Sequence, residues 1–98
     1  MKTIIIMGST SDEPHAKKIT DKLDEYGITW EQHAASAHKE PLKVLEILTA
    51  NKDEKDIVYI TIAGRSNALS GFVAANCEFP TIGCPPFSDK ADMLVNIH

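Results

Sequence analysis

The run Thr3-Ile4-Ile5-Ile6-Met7, stopping at Gly8, constrains the fold more than any other stretch of the chain. It is β-branched at four successive positions and apolar from Ile4 onward, the pattern of a strand buried on both faces. Such a strand needs a covering layer on each side, so the segments that follow must supply helices. Gly8-Ser9-Thr10-Ser11-Asp12 forms a polar loop. Pro14 then suits the first turn of a helix, where its missing N–H costs nothing, with Ser11 or Asp12 as the cap. Ala16, Ile19, Leu23 and Tyr26 recur at helical spacing, and Gly27 ends the element.

A second extended segment runs from about Ile28 to Ala35 and enters Ser36-Ala37-His38-Lys39. Pro41 opens a helix with Val44, Leu45 and Leu48 on one side, and Asn51 to Asp56 forms a turn. Ile57 to Ile62 is the clearest strand and leads directly into Ala63-Gly64-Arg65-Ser66-Asn67. Small residues from Ala68 to Ala75 predict a closely packed helix, with Gly71 allowing near approach of backbones. Thr81 to Cys84 reads as a fourth short strand closed by Pro85-Pro86, and a final helix is predicted from Ser88 towards Ile97. Strand and helix alternate throughout, which argues for right-handed βαβ units around a parallel sheet. No repeat, linker or low-complexity segment interrupts them, and 98 residues suit one domain.

Hydrophobic residues make up 43% of the chain, enough for a packed core. A domain this small buries only roughly two thirds of its unfolded surface, so self-association is expected. The formal charge of −4 leaves no basic footprint for nucleic acid or an anionic membrane. The longest apolar run, Ile4 to Met7, falls far short of the ~20 residues of a bilayer span. No signal-peptide pattern surrounds Lys2. Cys77 and Cys84 form no CxxC pair and read as small buried hydrophobes, and Trp30 reads as a packing residue. The expectation is a reduced, cytoplasmic protein that binds neither nucleic acid nor membrane.

Three strands end in loops of one chemical character: Gly8 to Asp12, Ser36 to Lys39, and Gly64 to Asn67. In an open parallel sheet, ligands bind beyond the carboxyl ends of the strands. Glycine admits a ligand close to the backbone, hydroxyls donate hydrogen bonds, and helix N-termini present free N–H groups. Lys39 and Arg65 add charge for an anion. Each loop alone could be a turn with a cap, and a single histidine in a loop is commonly a surface residue. Three such loops at strand ends describe a pocket for a phosphorylated small molecule.

Other chemistries lack their residues. His15, His33, His38 and His98 show no metal-ligand spacing with one another or with the cysteines. There is no GxGxxG, no GxxxxGK[ST] and no GxSxG. Aromatic residues able to sandwich a flavin are scarce, at 6%.

Met7 to Asp12, Ser36 to Lys39 and Ala63-Gly64-Arg65-Ser66-Asn67-Ala68-Leu69-Ser70-Gly71 resemble, in order and spacing, the signature loops of the 5-aminoimidazole ribonucleotide carboxylase/mutase family. The Ala-Gly-Arg-Ser-Asn form of the third loop resembles the branch that uses carbon dioxide directly. The mutase branch, which rearranges an N-carboxylated substrate, typically carries an Ala-Gly-Gly-Ala-Ala-His type of loop there. The resemblance implies a three-layer flavodoxin-like fold, a role in purine synthesis with no metal or organic cofactor, and a homo-oligomer, commonly an octamer, with sites near subunit boundaries. It implies that Gly8, Ser9, Ser11 and Asp12 hold ribose and phosphate, with Asp12 on the sugar hydroxyls. Ser36 and Lys39 would bind phosphate, and His38 would transfer the proton. Gly64, Arg65, Ser66 and Asn67 would shape the pocket for carbon dioxide or the carboxylate.

Residues 1–98 are expected to form one domain that stops before the C-terminal strand and helices of the family. Two alternatives to the carboxylase stay open at this point: a mutase, and an inactive truncated module that binds nucleotide or joins an oligomer.

Overall fold

The computed structural model describes residues 1–63 and 68–84. The Gly64–Asn67 loop, the Pro85-Pro86 stop and the expected helix from Ser88 to Ile97 lie outside the described residues. Strands and helices alternate as expected: β1 (Lys2–Met7), α1 (Glu13–Glu25), β2 (Thr29–Ala34), α2 (Pro41–Ala50), β3 (Ile57–Ile62), α3 (Ala68–Ala75) and β4 (Thr81–Gly83). All pairings among them are parallel, in the order β2-β1-β3-β4. That order matches the first four strands of a flavodoxin-like sheet.

β1 sits between two strands, and its run of isoleucines follows from that position. Ile4 and Ile6, with Ile57 and Tyr59 of β3, meet Val44, Ile47 and Leu48 of α2 and Leu69 and Val73 of α3. Ile5 and Met7, with Ile62, pack against Ala16 of α1. Successive side chains of one strand thus feed two separate cores, giving three layers. Full burial of one isoleucine contributes about 1.5–3 kcal/mol. Ile4, Ile5 and Ile6, each at 0% exposure, together contribute on the order of a small domain's whole net stability.

Several local expectations change. Asp12 holds the N-cap position of α1, one of the two residues expected there, but makes no side-chain cap bond. The capping side chain is Ser9, which serves the short 3-10 turn over Thr10–Asp12 that leads into the helix. Tyr26 falls beyond the last turn of α1 and is exposed, because the chain has already begun to reverse there. Gly27 makes that reversal at φ +69°, a conformation that favours glycine. In α2 the buried set is Val44, Ile47 and Leu48, with Leu45 only half-buried.

Gly71 is exposed, and a Cβ there would meet nothing within 4 Å among the described residues, so it makes no close backbone contact with them. The tight approach of α3 to the sheet is at Gly83, where a Cβ would lie 3.3 Å from Ser70 Oγ. Cys77 and Cys84 are half-buried and engage polar groups. Trp30 is half-buried and donates its indole N–H to Asp24 at 2.8 Å.

Two features of this framework predict measurable behaviour. Tyr59 is wholly buried, and its hydroxyl has no hydrogen-bond partner among the described residues. Burial pushes its phenol up to about 12. An unpaired buried hydroxyl costs about 1–3 kcal/mol, so Tyr59→Phe is expected to be neutral or stabilising within that range in urea unfolding.

On the sheet edge, Glu31 accepts from Lys2 at 2.6 Å and lies 2.6 Å from His33 Nε2. The Lys2 hydrogen bond first, then that of His33, holds the Glu31 carboxyl below its ordinary 4.5. A depressed carboxyl stabilises the fold above its unfolded value, and this contribution is lost as pH falls through the folded value. Glu31→Gln should therefore lower stability at neutral pH and reduce the loss as pH falls below the ordinary 4.5, as read by unfolding midpoints.

Candidate functional site

Parallel pairing sends every described strand towards the same end of the sheet, and the register makes the ends level. Met7 stands beside Ala34 on one side and Ile62 on the other. The ladder continues one residue further: Ala35 N–H donates to Met7 O at 2.7 Å, and Gly8 N–H donates to Ile62 O at 2.8 Å. Cys84 N–H donates to Thr61 O at 2.8 Å. The loops after β1, β2 and β3 therefore leave from one shelf, at the β1/β3 switch point where a sheet of this order binds ligands.

The first loop is organised by its serines. Ser9 has extended backbone (φ −156°, ψ 151°), and its Oγ accepts from Ser11 N–H at 3.2 Å. The two hydroxyl oxygens lie 3.0 Å apart, and both residues are exposed. Asp12 is half-buried, and its N–H donates to Ser9 O at 3.0 Å. Burial pushes the Asp12 carboxyl upward, while a backbone hydrogen bond from Ser9 and the nearby His15 partly offset this. A partly desolvated carboxyl gains from hydrogen-bond donors brought by a ligand. A Cβ on Gly8 would rest 3.5 Å from Ile62 O, an ordinary contact, so packing within the protein does not itself demand glycine there.

The second loop is held by Ser36, whose Oγ accepts from the N–H groups of His38 and Lys39, each at 3.2 Å. Glu40 N–H donates to Ser36 O at 2.8 Å and closes the turn. Ser36 itself is half-buried, whereas His38 and Lys39 are exposed. α2 follows with Pro41, which has no N–H, in its first turn and no side-chain cap from Glu40; Lys43 N–H donates to Glu40 O at 3.1 Å, which leaves the Leu42 N–H for water or a ligand. Hydroxyls, a carboxylate, an imidazole and an ammonium thus share one end of the sheet. Gly64, Arg65, Ser66 and Asn67 lie outside the described residues.

One residue near this end carried no signal in the sequence. His15 Nε2 lies 3.1 Å from Cys84 O and 3.8 Å from its Sγ. The contact joins residues 69 apart, and only the folded sheet brings them together. Burial pushes the Cys84 thiol up, towards the protonated form. Among the described residues, no group of three His, Cys, Asp or Glu side chains is placed to hold a metal ion. No helix among the described residues is long and apolar enough to cross a membrane.

The family model described as AIR carboxylase matches residues 2–98. A phosphoribosylaminoimidazole carboxylase of Archaeoglobus fulgidus is 57% identical over 99% of this chain and 55% of its own length. One of Treponema denticola is 48% identical over 89% of this chain and 55% of its own length. The crystal structure of Treponema denticola PurE superposes with a TM-score of 0.91 at 45% identity, covering 96% of this chain and 62% of that one. The chain spans about half the length of these two curated relatives.

The raised Asp12 carboxyl has a consequence for stability. Its protonated form is favoured in the fold, so this group's contribution is fully present below the ordinary 3.8 and is lost as pH rises through the folded value. Ionised Asp12 then costs stability at neutral pH. Asp12→Asn should melt above the parent chain at about pH 7, with the difference vanishing at about pH 3 in parallel thermal scans.

Proposed function

Since the chain belongs to the AIR carboxylase family, we propose that its strand-end loops bind 5-aminoimidazole ribonucleotide and add carbon dioxide reversibly to carbon 4 of the imidazole, as a step of purine synthesis. The observation that carries this reading is the common level of the Gly8–Asp12 and Ser36–Lys39 loops, set by the matched registers of β2 and β3 on β1. In this reading Ser9, Ser11 and Asp12 take the ribose and phosphate, with Asp12 accepting from sugar hydroxyls. Ser36 and Lys39 hold the phosphate, where the ammonium supplies charge. Gly64, Arg65, Ser66 and Asn67 face carbon dioxide and the carboxylate product.

The chemistry suits those groups. The aminoimidazole is an enamine, and its electron pair forms the new carbon–carbon bond from carbon 4 to carbon dioxide. One C=O electron pair moves onto oxygen to give the carboxylate. Carbon 4 then carries both the carboxylate and a proton, and aromaticity returns when that proton leaves. A neutral His38 imidazole accepts it, and the imidazolium returns it in the reverse direction. N–H donors and the Arg65 guanidinium stabilise the developing carboxylate, and holding carbon dioxide against the ring supplies proximity. Arg65-Ser66-Asn67 favours the carbon-dioxide-using branch over the mutase. The protein acts in the cytoplasm as a homo-oligomer, with its sites near subunit boundaries.

A second reading is a module that binds the ribonucleotide without turning it over. Purified chain supplied with the ribonucleotide and bicarbonate-equilibrated carbon dioxide separates the two. The carboxylase reading expects turnover, and His38→Asn should lower it by about 10²–10⁴-fold with the fold intact. An unchanged rate in the variant removes His38 from the mechanism. Consumption of only the N-carboxylated substrate assigns the mutase, and binding without turnover assigns the module.

A further inference from the structure

We infer that His15 is a positioning residue of the ribonucleotide site, fastening the Gly8–Asp12 loop to the end of β4 through a hydrogen bond from Nε2 to the Cys84 carbonyl. The inference rests on the reading of the site proposed above. β1 and β4 are not neighbours in the sheet, since β3 lies between them. No ladder hydrogen bond can therefore fix the loop after β1 relative to the end of β4. His15 lies three residues beyond Asp12, in the first turn of α1, and its ring bridges that gap at 3.1 Å.

A carbonyl only accepts, so Nε2 must carry the hydrogen, which leaves Nδ1 bare in the neutral ring. The same nitrogen stands 3.8 Å from the Cys84 thiol sulfur. The bond matters because the other hydrogen bonds described at the junction between loop and helix, Asp12 N–H to Ser9 O and Glu13 N–H to Thr10 O, are local to it. Asp12 occupies the N-cap position without a side-chain cap bond, and Ser9 and Ser11 bond mainly within the loop. β3 lies between the two strands so linked. The tether thereby sets the distance between the start of α1 and the end of β4.

Two substitutions separate positioning from simple packing. His15→Phe keeps a ring but removes the donor, whereas His15→Gln keeps an N–H at similar reach. Calorimetric titration with 5-aminoimidazole ribonucleotide, at a temperature where every variant is folded, should show affinity about tenfold weaker for His15→Phe. His15→Gln should restore it to within about threefold. A packing role alone would lower the melting temperature and leave these affinities equal, so equal affinities overturn the inference. Amide NMR of the unliganded chain gives an independent reading: His15→Phe should move the Ser9–Asp12 resonances, and their remaining in place also overturns it. Failure of the parent chain to bind the ribonucleotide instead overturns the reading of the site, and the inference with it.

Discussion

Ile4, Ile5 and Ile6 have no exposure to solvent, and the backbone that carries them pairs with a parallel strand on each side. Everything else about the molecule depends on that placement. A strand buried on both faces requires a helical layer above and another below, which α1 on one side and α2 with α3 on the other provide. A strand paired on both edges must also agree in register with two neighbours at once. The agreement at Met7, Ala34 and Ile62 brings the ends of three strands level, so the loops after β1 and β2 start from one level. The site is thus a consequence of how the core is built.

Polar chemistry gathers at that end for the same reason. Parallel strands deliver their carboxyl ends to one side, and each helix then starts there with N–H groups that lack partners within the helix. Ser9 and Ser36 satisfy some backbone donors within their own loops, leaving Asp12, His38 and Lys39 for other work. Desolvation of Asp12 is a small cost in stability that a ligand rich in hydroxyls can offset. His15 belongs to the same arrangement, since it links two parts of the rim that the sheet itself leaves unconnected. The chain belongs to the AIR carboxylase family, and the substrate proposed above would present sugar hydroxyls, a phosphate and a carbon that must lose a proton to these groups.

Much of this was legible before any coordinates. The apolar run from Ile4 to Met7 identified the central strand, because only burial on both faces tolerates it. Pro14 and Pro41 marked helix starts, since proline fits the first turn and is disfavoured deeper in a helix. The motif loops stood out because Gly, Ser, Asp and His cluster there against an apolar background. Errors arose where a local pattern had two structural outcomes. Ser11 and Asp12 are good capping types, yet the chain inserts a 3-10 turn and uses Ser9. Tyr26 continues the helical spacing of α1 but falls past the residue at which the backbone reverses. Gly71 looked like a contact point in a small-residue helix, while the close approach is made by Ser70 against Gly83.

The sequence by itself determined the alternation of strand and helix, the parallel sheet and the polar loops, because these depend on periodicity and on the local preferences of neighbouring residues. Tertiary structure alone decided that the ends of β1, β2 and β3 are level, which face each isoleucine serves, and that Asp12 is partly desolvated. It alone brought His15 to Cys84, 69 residues away. Those properties come from hydrogen-bond register and from packing between distant segments, and no local pattern in the chain specifies either.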